Sequence, residues 1–203
     1  VHFERLSYQS ALEQQSQWIS EAKGLTTKSV QVLSFESEPV ITIGIRGRAE
    51  KDLLRESLLK VLPVDRGGEA TYHGPGQLVL FPVVHLPTWN LSVRAWVGLL
   101  LDTTRDFLNE FAIPTTWDES KPGLFTANGK IASVGLKIQS GWSSHGLALN
   151  VKGDLSSFDG IRACGVKGAA IDQMDRWIFR EHLDLGTLSK KWEDHFMRRL
   201  RGP

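Results

Sequence analysis

The run from Arg66 to Pro82 reads Arg-Gly-Gly-Glu-Ala-Thr-Tyr-His-Gly-Pro-Gly-Gln-Leu-Val-Leu-Phe-Pro, and it limits what this chain can fold into more than any other stretch. Four glycines and one proline fall within the eleven residues Arg66 to Gly76, and an apolar stretch, Leu78 to Leu86, follows at once. A loop that only turns a corner needs about two such residues. Gly67 and Gly68 permit positive φ and close backbone approach to a bound group. Arg66 adds a permanent charge with a donor fork. Tyr72 and His73 add apolar bodies with polar tips. An ordinary glycine-rich hairpin loop would have the same composition, so the loop alone does not name a chemistry.

The remaining numbers narrow the classes. The chain has 203 residues, 41% hydrophobic and 23% charged, which fits one globular domain over residues 1–203 and argues against disorder. A net charge of +1 gives no global reason to expect nucleic-acid or membrane binding. No apolar run reaches the roughly 20 residues of a membrane span. Residues 1–24 carry charges and glutamines where a signal peptide would be apolar. The single cysteine excludes an intramolecular disulfide and a CxxC metal site, and the scattered His2, His85, His182 and His195 make no metal-ligand spacing. A cytoplasmic monomer is expected.

Taken in order, Leu6–Lys23 reads as a helix ended by Gly24, with Leu12, Gln15, Trp18 and Ile19 on one side. Val30–Phe35 and Val40–Gly44 read as strands around a turn. Gly44-Ile45-Arg46-Gly47-Arg48 reads as a solvated basic turn before a helix over Glu50–Leu59. Val61–Asp65 is a short strand that delivers Arg66. Ser92 caps a helix to Phe111, with Val93, Trp96, Val97, Leu100, Leu101, Phe107, Leu108 and Phe111 as its apolar stripe. Residues 113–128 read as loop. Lys130–Ile138 and Trp142–Val151 read as a hairpin about Ser140-Gly141. Leu155–Ile161 is a short helix or turn, residues 165–175 are irregular, and the last helix starts at Leu185 with Leu188, Trp192, His195, Phe196 and Leu200 inside. Helices mixed with mostly antiparallel strands make this an α+β chain.

Two residues stand out chemically. Cys164, between Ala163 and Gly165, is the only thiol. A lone cysteine is more often a buried, inert one, but the polar, irregular run Lys167–Gln173 that follows is a poor setting for a core residue. A thiol attacks only as thiolate, so a base must draw its proton below the ordinary pKa of about 8.5. Lys130 is the candidate base. Most lysines are solvated, but this one is delivered by the Asn128-Gly129 turn into a strand with apolar Ile131 and Val134, a setting that partly desolvates an amine.

Four ordered stretches carry a resemblance: Arg66–Pro82, Gly129-Lys-Ile-Ala-Ser-Val-Gly-Leu-Lys-Ile138, Ser144-His-Gly-Leu-Ala-Leu-Asn-Val151 and Ile161-Arg-Ala-Cys-Gly165. Together they resemble the octanoyltransferases of lipoate biosynthesis, the lipoate-protein ligase B family, over roughly residues 3–200. The family turn near Ser37 usually carries a histidine; its absence here implies that this position is not chemically required. The resemblance implies the α+β fold shared with biotin and lipoate ligases, mixed and mostly antiparallel sheets flanked by helices. It also implies transfer of an octanoyl group from octanoyl-acyl carrier protein to a lysine of lipoyl domains, on 2-oxoacid dehydrogenase E2 subunits and the glycine cleavage H protein. That transfer is the first committed step of lipoate biosynthesis and protein lipoylation.

By the same matching, Cys164 carries the acyl group and Lys130 is the catalytic lysine. Arg66, Gly67, Gly68, Glu69, Ala70, Thr71, Tyr72, His73, Ser133, Val134, Gly135, His145, Gly146, Leu147 and Ala148 line the acyl site. His73 and His145 shape the pocket in this reading, with a Cys-His dyad as the alternative. Backbone N–H groups of the glycine-rich loops stabilise the oxyanion. A thioester donor is already activated, so neither ATP, cofactor nor metal is required. Seven buried CH₂/CH₃ groups at about 0.8 kcal/mol each give on the order of 5 kcal/mol of acyl binding. Three alternatives remain open: an ATP-dependent lipoate ligase, an amidotransferase between lipoyl domains, and a carrier-protein binding module with an idle thiol.

Overall fold

The structure is a computed structural model, and it describes residues 1–23, 28–54, 57–118, 121–163, 166–179, 181 and 183–202. In chain order the elements are β1 (His2–Leu6), α1 (Tyr8–Ala22), β2 (Val30–Ser37), β3 (Val40–Ile43), α2 (Ala49–Asp52), β4 (Lys60–Pro63), β5 (Ala70–His73) and β6 (Gln77–Val84). They continue with α3 (Val93–Asn109), β7 (Thr116–Asp118), β8 (Lys121–Thr126), β9 (Gly129–Gln139), β10 (Trp142–Asn150), β11 (Arg162–Ala163), β12 (Val166–Lys167) and α4 (Leu185–Arg201). Seven strands form one sheet in the order β1-β2-β6-β10-β9-β8-β7, and three form another, β4-β3-β5. All pairs in the large sheet are antiparallel except β1 with β2, which is parallel. The fold is α+β, as the mixture of helical and alternating patterns implies.

β6 explains why the chain closes around it. Every residue of β6 is buried. Leu78, Leu80 and Val84 face a core completed by Trp96, Leu100 and Phe107 of α3 and Trp192 and Phe196 of α4. Val79, Phe81 and Val83 face the other way, against Tyr8, Ala11 and Trp18 of α1. With both faces covered, a strand has no polar alternation to display, hence the unbroken apolar run. Each long helix starts on a capping side chain. Ser7 accepts from Ser10 N (3.1 Å), Ser92 from Ala95 N (3.1 Å) and Asp184 from Thr187 N (2.7 Å).

Several local expectations give way to tertiary pairing. The helix expected over Glu50–Leu59 is a single turn, α2. Asp52 Oδ2 accepts from Arg48 N (2.8 Å), then Leu53 turns extended and bridges Ile161, while Leu54 N donates to Gly160 O (2.9 Å). The expected loop over 113–128 contains β7 and β8, which extend the sheet beyond β9. Leu6, expected in the first helix, belongs instead to β1, which pairs with β2. Val93, placed on the apolar stripe of α3, is 52% exposed. The stretch expected to be irregular over 165–175 contains β12, paired with β11, and leads into a 3₁₀ turn at Met174–Arg176. The β9–β10 hairpin forms as expected, with Ser140 (φ 50°) and Gly141 (φ 81°) giving the two positive-φ positions its tight turn requires.

Candidate active site

The site lies between the α1-side face of the large sheet, strand β5 of the small sheet and residues 169–171, around a cavity of about 590 Å³. Arg66, Gly68, Glu69, Ala70, Thr71 and His73 line it from the glycine-rich loop and β5. Ser133, Val134 and Gly135 line it from β9, Gly146, Leu147 and Ala148 from β10, and Lys130 from the start of β9. Three residues matched to the acyl site stand elsewhere. Tyr72 alternates to the far side of β5 and packs edge-on against Phe158 (5.5 Å between centroids). Gly67 sits behind Arg66, its N–H donating to Leu136 O at 2.8 Å. His145 lies beneath the wall. The amides of Gly67 and Gly76 are both engaged, the latter with Glu36 Oε2 (2.9 Å), so neither is offered to an oxyanion. Cys164 and Gly165 lie outside the described residues, as does His182.

Arg66 acts as a brace. It is 6% exposed and donates to Thr42 O (3.0 Å), Thr42 Oγ1 (2.8 Å), Glu69 O (2.9 Å) and Gly67 O (2.9 Å). The donor fork that the sequence offers to a bound group is thus spent largely on tying the loop to β3. The neighbouring Gly44–Arg46 backbone is tied to the same loop: Gly44 N to Glu69 O, Ile45 N to Arg66 O and Arg46 N to Gly68 O, at 3.0–3.2 Å. This packing brings the exposed Arg46 to the cavity, so the stretch is more than a solvated basic turn.

A polar chain that runs inward from the exposed Asp65 holds the wall formed by Tyr8. Asp65 Oδ1 and His145 Nε2 are 2.8 Å apart, and His145 Nδ1 and Tyr8 Oη 3.0 Å apart. With the carboxylate accepting from Nε2–H, the tyrosine hydroxyl donates to Nδ1. Burial raises the Tyr8 hydroxyl far above its usual range, so it stays protonated as this donor. Burial also lowers the His145 ring, more than the neighbouring Asp65 carboxylate raises it. His145 has φ 57°. Continuing the β6–β10 register would bring it opposite Pro82, which has no N–H. The side chain of Gln15 takes over both backbone groups, accepting from His145 N (3.0 Å) and donating to its carbonyl (3.4 Å). His73 stacks on Tyr8 at 4.8 Å and donates from Nδ1 to Gln77 Oε1 (2.7 Å). Burial drops its pKa to about 3, so the ring is neutral.

Lys130 is buried at the site, 6% exposed, with Nζ 5.4 Å from the centre of the Phe125 ring. Its backbone is pinned on both sides: its N donates to Ala170 O (2.9 Å) and its carbonyl accepts from Asp172 N (3.0 Å). Asp172 is fully buried. It accepts from Trp177 Nε1 (2.7 Å) and Thr126 Oγ1 (2.5 Å), and its carbonyl accepts from Asn150 Nδ2 (3.1 Å). Tyr8, Phe125 and residues 169–171 also line the cavity, although no motif pointed to them, as does Phe81 near the end of the Arg66–Pro82 run. A signal existed for Tyr8: the buried positions Tyr8, Ala11, Gln15, Trp18 and Ala22 follow helical spacing. Among the described residues no group of three His, Cys, Asp or Glu side chains is placed to hold a metal, and no helix is long and apolar enough to cross a membrane.

Residues 7–196 match the model of the lipoyl protein ligase A/B catalytic domain. An octanoyltransferase from Dichelobacter nodosus is 38% identical over 172 residues, covering 84% of each chain. Another from Nitrosomonas europaea is 39% identical over 143 residues, 70% of each. The chain belongs to the octanoyltransferase family. Solved structures show how widely the octanoyltransferase fold is shared. A bi-partite lipoate protein ligase from Thermoplasma acidophilum superposes with a TM-score of 0.76 at 11% identity, over 98% of this chain and 82% of that one. A biotin protein ligase from Aquifex aeolicus superposes with a TM-score of 0.53 at 12% identity, over 99% and 69%. The fold is that of the biotin and lipoate ligase catalytic domains, and the family separates this chain from the ligases where fold alone does not.

Proposed function

We propose that this chain, as one catalytic domain over residues 1–203, transfers an octanoyl group from octanoyl-acyl carrier protein to a lysine of lipoyl domains, through a thioester on Cys164. The observation that carries the reading is the placement of Lys130. A buried amine opens on a cavity walled mostly by apolar groups and glycines, in a member of the octanoyltransferase family. Such a cavity suits a linear acyl chain.

The Lys130 amine takes the proton of the Cys164 thiol, and the sulfur attacks the donor's thioester carbonyl. The C–S bond to the carrier breaks, octanoyl-Cys164 forms, and the carrier thiolate leaves with a proton from the Lys130 ammonium. The lysine amine of a lipoyl domain then attacks the acyl-enzyme. An amide bond forms, the Cys164 C–S bond breaks, and the thiolate recovers the proton that the amine releases. Donor activation resides in the thioester, so the cycle uses no ATP. His73, neutral and bonded through Nδ1 to Gln77, and His145, turned towards Asp65, serve as wall and brace. Acceptors are the lipoyl domains of 2-oxoacid dehydrogenase E2 subunits and the glycine cleavage H protein, and the chain works as a cytoplasmic monomer.

The test is the intact mass of the native chain and of Cys164→Ser after mixing with octanoyl-acyl carrier protein, without ATP. One octanoyl group gained, labile to hydroxylamine and lost in the serine variant, is expected. No adduct, with transfer only from free octanoate plus ATP, would move the chain to the ligase chemistry of its structural neighbours.

A further inference from the structure

Side chains along β9 alternate as a strand requires until they reach the catalytic end. Ala132, Val134, Leu136 and Ile138 pack with the core beneath α3 and α4. Ser133 and Gly135 lie on the other face and, with Val134 between them, line the cavity. Continued alternation would send Ile131 into the cavity and Lys130 into the apolar core. The reverse is observed: Ile131 is fully buried in that core and Lys130 lines the cavity. The pairing with β8 shows why. Gly123 faces Ser133 and Leu124 faces Ala132, but Phe125 faces Lys130, so Ile131 is one residue extra. A β-bulge at this point re-aims every residue before it.

The partner strand is shaped to receive the re-aimed side chain. Gly123 has φ 148°, and a Cβ built on it would lie 2.3 Å from Lys130 Cε and 3.0 Å from Lys130 Nζ. Carbon atoms in contact stand about 3.5–4.0 Å apart. The lysine therefore crosses the bare Cα of Gly123 and ends over the ring of Phe125, whose face attracts an ammonium. The same Cβ would also meet Ala132 O at 2.5 Å, so part of any penalty at this site falls on the backbone.

We propose that the bulge at Ile131, the bare Cα of Gly123 and the ring of Phe125 together form a seat that positions the Lys130 amine for acyl transfer. Gly123 and Phe125 are positioning residues that act through Lys130, and the inference rests on the catalytic role given to Lys130 above.

The experiment is single-turnover acylation of Cys164 by octanoyl-acyl carrier protein, followed by intact mass, for the native chain, Gly123→Ala, Lys130→Ala, their double variant and Phe125→Leu. Gly123→Ala is expected to slow acylation at least tenfold with the donor KM within about twofold. The double variant is expected to match Lys130→Ala within about twofold, because nothing is left to position. Phe125→Leu, which leaves the β8 backbone alone, is expected to slow acylation about fivefold and to alter its pH–rate profile, with Phe125→Tyr restoring most of both. Additive losses in the double variant would show that Gly123 acts on the backbone only and would overturn the seat. If Gly123→Ala does not fold, native rate and pH profile in Phe125→Leu overturn it alone. Native-like acylation in Lys130→Ala would instead sink the catalytic reading, and the seat with it.

Discussion

The backbone N–H of Lys130 donates to the carbonyl of Ala170 at 2.9 Å, and two residues on, the N–H of Asp172 returns to the Lys130 carbonyl at 3.0 Å. The base candidate is thereby stitched to the segment that follows Cys164 and Gly165 in the chain. Whatever fixes Asp172 fixes this spacing. Its carboxylate is fully buried and bonded to Thr126 and Trp177. Asp172→Ala is expected to cost about 3 kcal/mol of unfolding free energy, because those donors lose a buried acceptor. It should also lower kcat more than it raises the donor KM. Urea titration and steady-state kinetics on the same preparation check both.

Tyr8 takes the cavity-lining place that the motif suggests for Tyr72. Tyr8 lines the cavity and holds His145; Tyr72 packs on Phe158 away from it. Tyr8→Phe leaves His145 Nδ1 buried without its donor and is expected to cost about 1–3 kcal/mol. Tyr72→Phe should leave the acyl-donor KM within twofold of native. Thermal unfolding and donor titrations of the two variants distinguish the roles.

Arg66→Lys is expected to behave as a structural lesion. A lysine cannot reproduce a fork that reaches Thr42, Gly67 and Glu69 together. A loss of about 2 kcal/mol is expected, from two or so charge-assisted hydrogen bonds. Hydrogen exchange should show faster opening of the Gly67, Gly68 and Gly44 amides.

Acid should destabilise the fold earlier than carboxylate titration alone would. His73 has its pKa lowered to about 3, and burial lowers His145 as well. Between about pH 6.5 and pH 3 the unfolded chain binds a proton on His73 that the native fold refuses, and the lowered His145 ring adds to this below about pH 6.5, so stability falls as pH falls. Each ring contributes a slope of at most about 1.4 kcal/mol per pH unit inside its window. Urea unfolding at pH 7, 6, 5 and 4 should show this decline. His73→Gln should flatten it, and an unchanged slope in that variant would contradict a neutral, buried His73.

Residues close together in the chain encode the parts that depend on near neighbours. Helical spacing from Trp96 to Phe107, the Ser92 cap, the Ser140-Gly141 turn and the apolar run of β6 each encode their own geometry within a few residues. The ordered motifs likewise identified the family and most of the cavity lining, because alternation along β5, β9 and β10 presents every second motif residue to one wall. The direction of Lys130, by contrast, is set by strand pairing. The extra residue at Ile131 is invisible in β9 alone, since a bulge exists only relative to the partner strand β8. The same holds for β1, defined by pairing with β2, for Gln15 replacing the hydrogen bond that Pro82 cannot make, and for Arg66 spent on Thr42 and Glu69. Each is a contact between distant residues whose partner is chosen by packing, and a linear sequence carries no record of that choice.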